Sequence, residues 1–464
     1  MMLTNMEPNQ ILLRKYHDRS GPRYTSYPTA DLLGVDTVGV GYQKALRQLA
    51  PDASLSIYVH IPFCESVCYY CACHKIVTKH REYSGQYLEL LLKEIDLLRP
   101  LLDTGTQSKR AVSQIHLGGG SPTFFSDEQL ATLMQYLNQV FEVTTDAISS
   151  IEVDPRTVTE ERLTHLRQMG FNRISFGVQD FDEKVQEAIH RVQPYQDVAR
   201  LVEWSQKLAF NSINMDLIYG LPHQTLESMR NTIKRVVALR PDRIALYAYA
   251  HLPERFKPQR RINRLDLPQA SVKLSLLQHA MEALLLAGYE YIGMDHFALP
   301  TDDLFLAKKN GVLTRNFQGY SDGNTHNLIG LGISAISQLN TIYTQNHKSL
   351  ESYTDAIQAQ KLPLARSISL NEDDVLRREV IMDLMCQGQV SIPLVEQRYK
   401  IKFEEYFSDA MIRLEEFEQE GLLERDSENI RVTAEGWFFV RPMAMAFDRY
   451  YWQHQNQTRF SKVL

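Results

Sequence analysis

From Ser54 onward, short apolar runs alternate with longer segments whose apolar residues recur at helical spacing. SLSIYVHIPF (54–63), VSQIHLGGG (112–120), ISSIEVDP (148–155), RISFGVQ (173–179), INMDLIYGLP (213–222) and RIALYAYAH (243–251) read as strands. Between the first two, YLELLLKEIDLL (87–98) reads as an amphipathic helix. Another follows Ser126, which with Gln129 has the form of a capping box. Parallel pairing needs long crossovers, so apolar strands separated by helices predict parallel β/α units. Six such units predict an α/β class chain built on an open or closed (β/α)6 barrel.

Either side of this core the pattern changes. Residues 1–50 look peripheral, although SGPRYTSYPTA (20–30) reads as an extended, turn-like strap because each Pro biases its predecessor away from helix. After about residue 365 the alternation stops. DDVLRREVIMDLMC (373–386) and FEEYFSDAMIRLEEF (403–417) are amphipathic helices, with Gly421 placed to end the second. GLLERDSENIRVTAEGWFFV (421–440) reads as a hairpin entering a helix capped by Thr433. The expected division is therefore 1–50, an N-terminal extension over the active site; 51–365, a catalytic barrel; and 366–464, a mostly helical, winged-helix-like domain.

Composition narrows the class. With 464 residues, 44% hydrophobic and 23% charged, the chain has the makeup of a soluble globular protein with a large core. Its start lacks the apolar run of a signal peptide and no membrane span is visible, so cytoplasmic residence is expected. A formal net charge of −6 argues against a general nucleic-acid binder. The acidic C-terminal appendage reads as a cover rather than a DNA reader. The one basic run, KPQRRINR (257–264), is either a solvated loop or a site for substrate carboxylates, which suit arginine's fork.

The chemistry is concentrated in CESVCYYCAC (64–73), which holds four of the five cysteines. A large chain without secretory features has no need of such crowded disulfides. A structural zinc site draws cysteine or histidine pairs from separate segments, and no second pair is visible, since Cys386 stands alone on an apolar helix face. Closely spaced thiolates can instead hold an iron–sulfur cluster, and C-x3-C-x2-C can wrap three corners of a cubane while leaving a fourth open. Further candidates fall at strand ends, where β/α barrels place their chemistry. They are Gly118 to Ser121, Glu152, Gln179, Asp216 and Ala250. Each also has a plain reading. GGGSPT (118–123) serves as a strand-to-helix turn, Glu152 and Asp216 as buried ion pairs, Gln179 and Arg191 as surface or capping residues.

The C-x3-C-x2-C spacing of Cys64, Cys68 and Cys71, with Tyr70 before the third, resembles the radical S-adenosylmethionine (SAM) superfamily. GPRYTSYPTA, YVHIPFC, Cys73 in C-x-C, HLGGGSPT, IEVDP, FGVQDF, DLIYGLP, YAHLP, YIGMDHFA (291–298), NFQGY (316–320) and GISAIS (332–337) extend the likeness along nearly the whole chain. Together they resemble the oxygen-independent coproporphyrinogen III oxidase family. That resemblance implies oxidative decarboxylation of two propionates of coproporphyrinogen III to the vinyls of protoporphyrinogen IX, within haem biosynthesis. It implies a [4Fe-4S] cluster on Cys64, Cys68 and Cys71, with Cys73 outside the ligand set, and two SAM molecules. Tyr58, Gly119, Glu152 and Ile336 would contact the cluster-bound SAM. Tyr70, Gly120, Ser121, Gln179, Arg191, Asp216 and Ala250 would line the second SAM site. Ser121, His190 and Asn327 stand where Thr, Asn and Asp are usual. Arg23, Arg260 and Arg261 are candidates for the substrate's propionates. A flavodoxin or ferredoxin as electron donor and a monomeric state complete the expectation. Rival readings on the same scaffold are a haem chaperone, whose relatives lack the fourth cysteine and the long N-terminal segment, and a radical SAM methyltransferase.

Overall fold

A computed structural model of the chain describes residues 10–17, 19–36, 39–103, 105, 109–322 and 327–453. The start of the expected 1–50 extension and the end of the 366–464 domain lie outside the described residues. Two compact units draw on discontinuous stretches. The first comprises Leu33–Pro268 with Asn324–Ser369, the second Met1–Leu32, Gln269–Gly323 and Leu370–Leu464. The expected division ran along the chain; these units are groupings in space.

The first unit is built on strands β1 (Leu55–Ile61), β2 (Ala111–Gly119), β3 (Glu142–Val153), β4 (Arg173–Gln179), β5 (Ser212–Tyr219) and β6 (Arg243–Ala248). They lie side by side in chain order, all parallel. The right number and order of strands were legible because both faces are covered: Leu55, Ile57, Val59 and Ile61 of β1 are fully buried, and on the opposite face Ser56 and His60 are buried and Tyr58 half-buried. The crossovers carry α1 (Glu82–Leu98), α2 (Asp127–Val140), α3 (Glu160–Gln168), α4 (Tyr195–Lys207) and α5 (Leu226–Leu239). In α1, Tyr87, Leu91, Ile95 and Leu98 recur at three- and four-residue steps and all face the core. The Ser126–Gln129 capping box opens α2 as expected.

Beyond β1 the sheet continues through β7 (Leu328–Leu331), parallel to β1, then antiparallel through β8 (Ile336–Leu339), β9 (Ile342–Asn346) and β10 (Leu364–Ser369). Among the described residues no pairing joins β6 to β10, so the (β/α)6 array is an open one.

In the second unit, a helix over Glu372–Gln387 precedes a three-stranded sheet ordered Gln389–Ser391, Asn429–Val432, Leu423–Arg425, with helices between its strands in the winged-helix manner. Two expectations need correction. Residues 403–417 are not one helix but Phe403–Tyr406 and Ser408–Gln419, broken at Phe407. Thr433 does start a helical segment, its hydroxyl accepting from the Gly436 amide at 3.1 Å, but the first turns are 3-10 (Glu435–Phe439) and α-helix begins only at Val440. Cys386 is buried in this unit, as expected. No helix among the described residues is long and apolar enough to cross a membrane.

Candidate functional site

The cysteine loop follows β1 and is clamped at its base. Phe63–Cys64 pairs in parallel with Ile76–Val77, and Ile76 and Thr78 amides donate to the carbonyls of Pro62 (2.7 Å) and Cys64 (2.9 Å). Its tip is held from other elements. The Tyr69 amide donates to Ile189 O at 2.9 Å, and the Tyr69 ring stacks on His190 at 4.9 Å. Lys75 Nζ donates to Cys71 O at 3.1 Å, and Gln259 Nε2 donates to both Tyr70 O (3.0 Å) and Ala250 O (3.1 Å). These bonds tie the loop to β1, to the segment around Ile189 and to the loop after β6.

Cys64, Cys68, Cys71 and Cys73 all line one cavity of about 400 Å³ in the first unit, at the C-terminal ends of the strands. Gly119, Gly120, Ser121, Glu152, Gln179, Arg191, Asp216, Ala250 and Tyr70 line it too. The structure thus brings together most of the residues singled out from sequence. Tyr58 and Ile336 are not in its wall. Ala250 lies two residues past the end of β6 rather than within it.

Gly119 and Gly120 are required by the close approach of β2 to β1. A Cβ on Gly119, whose φ is +120°, would stand 2.7 Å from the His60 ring, and one on Gly120 would stand 2.6 Å from Pro62 O. That approach leaves bare backbone facing the cavity. The Gly119 amide donates to Glu152 Oε2 (3.2 Å) and His116 Nε2 to Glu152 Oε1 (3.3 Å). Burial pushes the Glu152 carboxyl up, but these donors and the His116 charge outweigh it and hold the group below its usual range. Tyr58 stacks on His116 at 5.8 Å and its hydroxyl meets His60 Nδ1 at 3.0 Å. Since His74 O can only accept from His60 Nε2 (3.0 Å), His60 carries its proton on Nε2; burial lowers its pKa to about 4. Tyr58 thus stands behind the His116–Glu152 pair rather than in the cavity wall.

Arg191 is not the surface or capping residue of the plain reading. It is 7% exposed, and donates to Gly177 O (2.7 and 3.1 Å), to both Asp154 oxygens (3.3 Å each) and to Cys68 Sγ (3.4 Å). Asp154 and Arg156 complete this group and were missed from sequence. Arg156 donates to Asp154 at 2.6 Å and to Cys68 Sγ at 3.8 Å. The signal available was position: Asp154 and Arg156 follow directly on the C-terminal end of β3, where β/α barrels place their chemistry. Across the cavity, Asp216 accepts from Asn214 Nδ2 (3.0 Å) and the Ser175 hydroxyl (3.4 Å). Burial first, then the Glu152 charge, pushes its pKa up to about 7. Two carboxyls in one cavity are thereby driven apart in acidity.

Glu94 of α1 was also missed. It is 2% exposed and accepts from Gly332 N (2.8 Å), Asn346 Nδ2 (2.7 Å) and Tyr353 OH (2.6 Å). Ile333 N donates to Tyr87 OH, which donates to His60 O, both at 2.9 Å. These bonds fix residues 332–336, and with them Ile336 at the start of β8, against α1 and β1. The candidate propionate ligands sit otherwise. Arg23, in the second unit, ion-pairs with Asp295. In the first unit, Arg260 Nε donates to Pro253 O at 2.9 Å and Arg261 lies 5.2 Å from the Tyr69 ring.

No three His, Cys, Asp or Glu side chains among the described residues converge closely enough to hold a single metal ion. A four-iron cluster puts each ligand sulfur on a different iron and accepts a wider spread. Two guanidinium N–H donors aimed at Cys68 Sγ suit a thiolate bound to an anionic cluster. The cysteine set, the glycine cradle and the ionised Glu152 therefore fit a cluster with a cationic ligand beside it.

Residues 58–236 match the model of the Radical SAM superfamily, and residues 370–439 that of the HemN C-terminal domain. The chain is 44% identical over 469 residues to the oxygen-independent coproporphyrinogen III oxidase of Pseudomonas aeruginosa, covering 100% of both. It is 42% identical over 466 residues to that of Escherichia coli, again covering 100% of both. The solved structure of coproporphyrinogen III oxidase (HemN) from Escherichia coli, described as a radical SAM enzyme, superposes with a TM-score of 0.90 at 42% identity, covering 96% of this chain and 100% of that one. Membership of the radical SAM superfamily implies a [4Fe-4S] cluster and SAM, which the donor set accommodates. Identity at this level along the full length of both chains, with the same fold and the cysteine loop in place, shows that this chain belongs to the oxygen-independent coproporphyrinogen III oxidase family of the radical SAM enzymes.

Proposed function

We propose that the protein converts coproporphyrinogen III to protoporphyrinogen IX by oxidative decarboxylation of two propionates. The observation that carries this reading is the cavity itself, where three cysteine sulfurs, a glycine-lined backbone edge and an ionised carboxylate face one another. The cluster and SAM, when bound, would supply the one-electron chemistry that takes a hydrogen atom from a propionate β-carbon; the substrate would then lose CO2 and pass its remaining electron to an external one-electron acceptor, leaving a vinyl group.

The chain's own residues hold, orient and exclude. Cys64, Cys68 and Cys71 take the cluster, with Arg191 and Arg156 donating toward Cys68 Sγ and offsetting the negative charge gathered there. Glu152 receives the ammonium of the cluster-bound SAM, Gly119 presents its backbone, and Tyr58 and Ile336 support that ligand through His116 and the strap fixed by Glu94. Tyr70, Gly120, Ser121, Gln179, Arg191, Asp216 and Ala250 take a second SAM. Ile218, Tyr247, Tyr249 and Phe256 line the same cavity and keep water from the reacting carbon. Arg23, Arg260 and Arg261 are assigned to propionates. The protein works as a cytoplasmic monomer, apart from membrane and nucleic acid, reduced by a flavodoxin- or ferredoxin-type donor.

The test is anaerobic turnover of reconstituted protein with reductant, SAM and coproporphyrinogen III. The reading requires 5′-deoxyadenosine, CO2 and a divinyl product. Deoxyadenosine without CO2 removes the oxidase reading and keeps the radical one, a methylated product points to a methyltransferase, and tight haem binding without turnover points to a chaperone.

A further inference from the structure

Gln259 lies inside the basic run KPQRRINR, yet it is 1% exposed. A 3-10 turn over Lys257–Arg261 carries it, and its side chain forms part of the cavity wall. The side-chain amide makes three hydrogen bonds. Nε2 directs its two hydrogens to main-chain carbonyls, Tyr70 O at 3.0 Å and Ala250 O at 3.1 Å, while Oε1 accepts from the Leu252 amide at 2.6 Å. Neither carbonyl is placed by regular structure. β6 ends at Ala248 and the Tyr249 amide still reaches Tyr219 O at 2.8 Å, so Ala250 is one residue past that pairing. Tyr70 is a central residue of the turn that the Cys71 amide closes on Cys68 O at 3.2 Å, a bond that does not use the Tyr70 carbonyl. Both residues line the cavity. An apolar side chain at 259 would take this donor from both carbonyls, and a carboxylate would set like charge against them.

We propose that Gln259 positions the Tyr70 and Ala250 side of the cavity for the second SAM. The inference rests on the proposed two-SAM assignment and adds to it a residue that acts through these two. Two observations separate this role from general support of the cysteine loop. The loop keeps its other ties without Gln259: the pairing of Phe63–Cys64 with Ile76–Val77, the Tyr69 amide on Ile189 O at 2.9 Å, and Lys75 Nζ on Cys71 O at 3.1 Å. The segment that carries Gln259 also has its own anchor. Ile262 is 5% exposed and packs with Ile189, Ile218, Leu221 and Tyr249 in one apolar cluster, against which Tyr69 and Tyr70 rest. Removing the amide therefore leaves the segment docked and the sulfurs in place. What it releases is the spacing of Tyr70 from Ala250, so the effect falls on a ligand that touches both.

The test is equilibrium dialysis of radiolabelled SAM against anaerobically reconstituted protein without reductant, so that SAM binds and is not cleaved. Mössbauer spectra of the same samples follow the cluster-bound SAM through its effect on one iron, and dialysis counts the total. Gln259→Met keeps the length of the side chain and removes its N–H donors. It should retain the wild-type iron and sulfide content and the Mössbauer response to SAM, while one of the two SAM molecules binds about tenfold more weakly. Gln259→Glu keeps an oxygen toward the Leu252 amide and loses both N–H donors; it should show the same split, and it serves if the methionine variant fails to assemble. Two SAM molecules bound with wild-type affinity in these variants overturn the proposal. So does loss of iron, or equal weakening of both SAM molecules, since either makes Gln259 a support of the whole loop. Failure of the underlying assignment shows separately, as wild-type protein that binds a single SAM, and the proposal falls with it.

Discussion

Asp216→Asn should make the SAM-free protein more stable, and increasingly so as pH rises. The carboxyl titrates at about 7 in the fold against 3.8 in the unfolded chain. Between those values the unfolded state has lost a proton that the folded state keeps, so rising pH favours unfolding. The penalty grows by about 1.36 kcal/mol per pH unit, is absent below 3.8 and is complete above about 7. Its full size is therefore roughly 4 kcal/mol. Asparagine removes the charge and keeps the contacts: its oxygen accepts from Asn214 Nδ2, now 3.0 Å from Asp216 Oδ1, and its amide faces the Ser175 hydroxyl, which can accept. Urea midpoints of the two proteins, measured without SAM from about pH 5 to about pH 8, should separate progressively and then run parallel. A constant offset across that range would refute the reasoning. On the proposed assignment of Asp216 to the second SAM, the same substitution should also weaken SAM binding, since it removes the negative charge that would face the sulfonium.

Three further substitutions probe other parts of the site. Gly119→Ala places a methyl 2.7 Å from the His60 ring at φ +120°, a strain of about 1–3 kcal/mol, and should weaken SAM binding measured by equilibrium dialysis; unaltered affinity would contradict the cradle. Glu94→Leu strands the Gly332, Asn346 and Tyr353 donors at about 1–3 kcal/mol each. Hydrogen exchange should quicken at Gly332 and Ile333 while β4 stays protected, and equal quickening everywhere would mean a merely global effect. Arg191→Gln withdraws a cation and an N–H from Cys68 Sγ, so a potentiometric titration of the cluster should move negative by on the order of 60 mV, the equivalent of about 1.4 kcal/mol for one electron. A potential that stays or rises would count against the role given to Arg191.

The parallel strands were legible because burial on both faces makes each a nearly continuous apolar run. RISFGVQ matches β4 residue for residue. The failures follow from the same rule. β3 begins at Glu142, six residues before its apolar run, since that half is largely exposed and carries polar residues. The split at Phe407 was hidden because the apolar periodicity runs through it unbroken. At the site, single chemically distinctive residues such as the cysteines and Glu152 could be read from sequence. Arg191 looked like a surface residue, because its partners Asp154, Gly177 and Cys68 come from three other segments and only the fold assembles them. Glu94 was invisible for the same reason, lying on a helix and satisfied by donors more than two hundred residues away.

The central claim is that three sulfurs of one loop hold a cluster and leave an iron for SAM. Its most direct test is the Mössbauer spectrum of anaerobically reconstituted Cys73→Ala protein, recorded with and without SAM. The account predicts an intact [4Fe-4S] cluster in which one iron changes its signal when SAM is added. Loss of the cluster in that variant, or four irons indifferent to SAM, would contradict it.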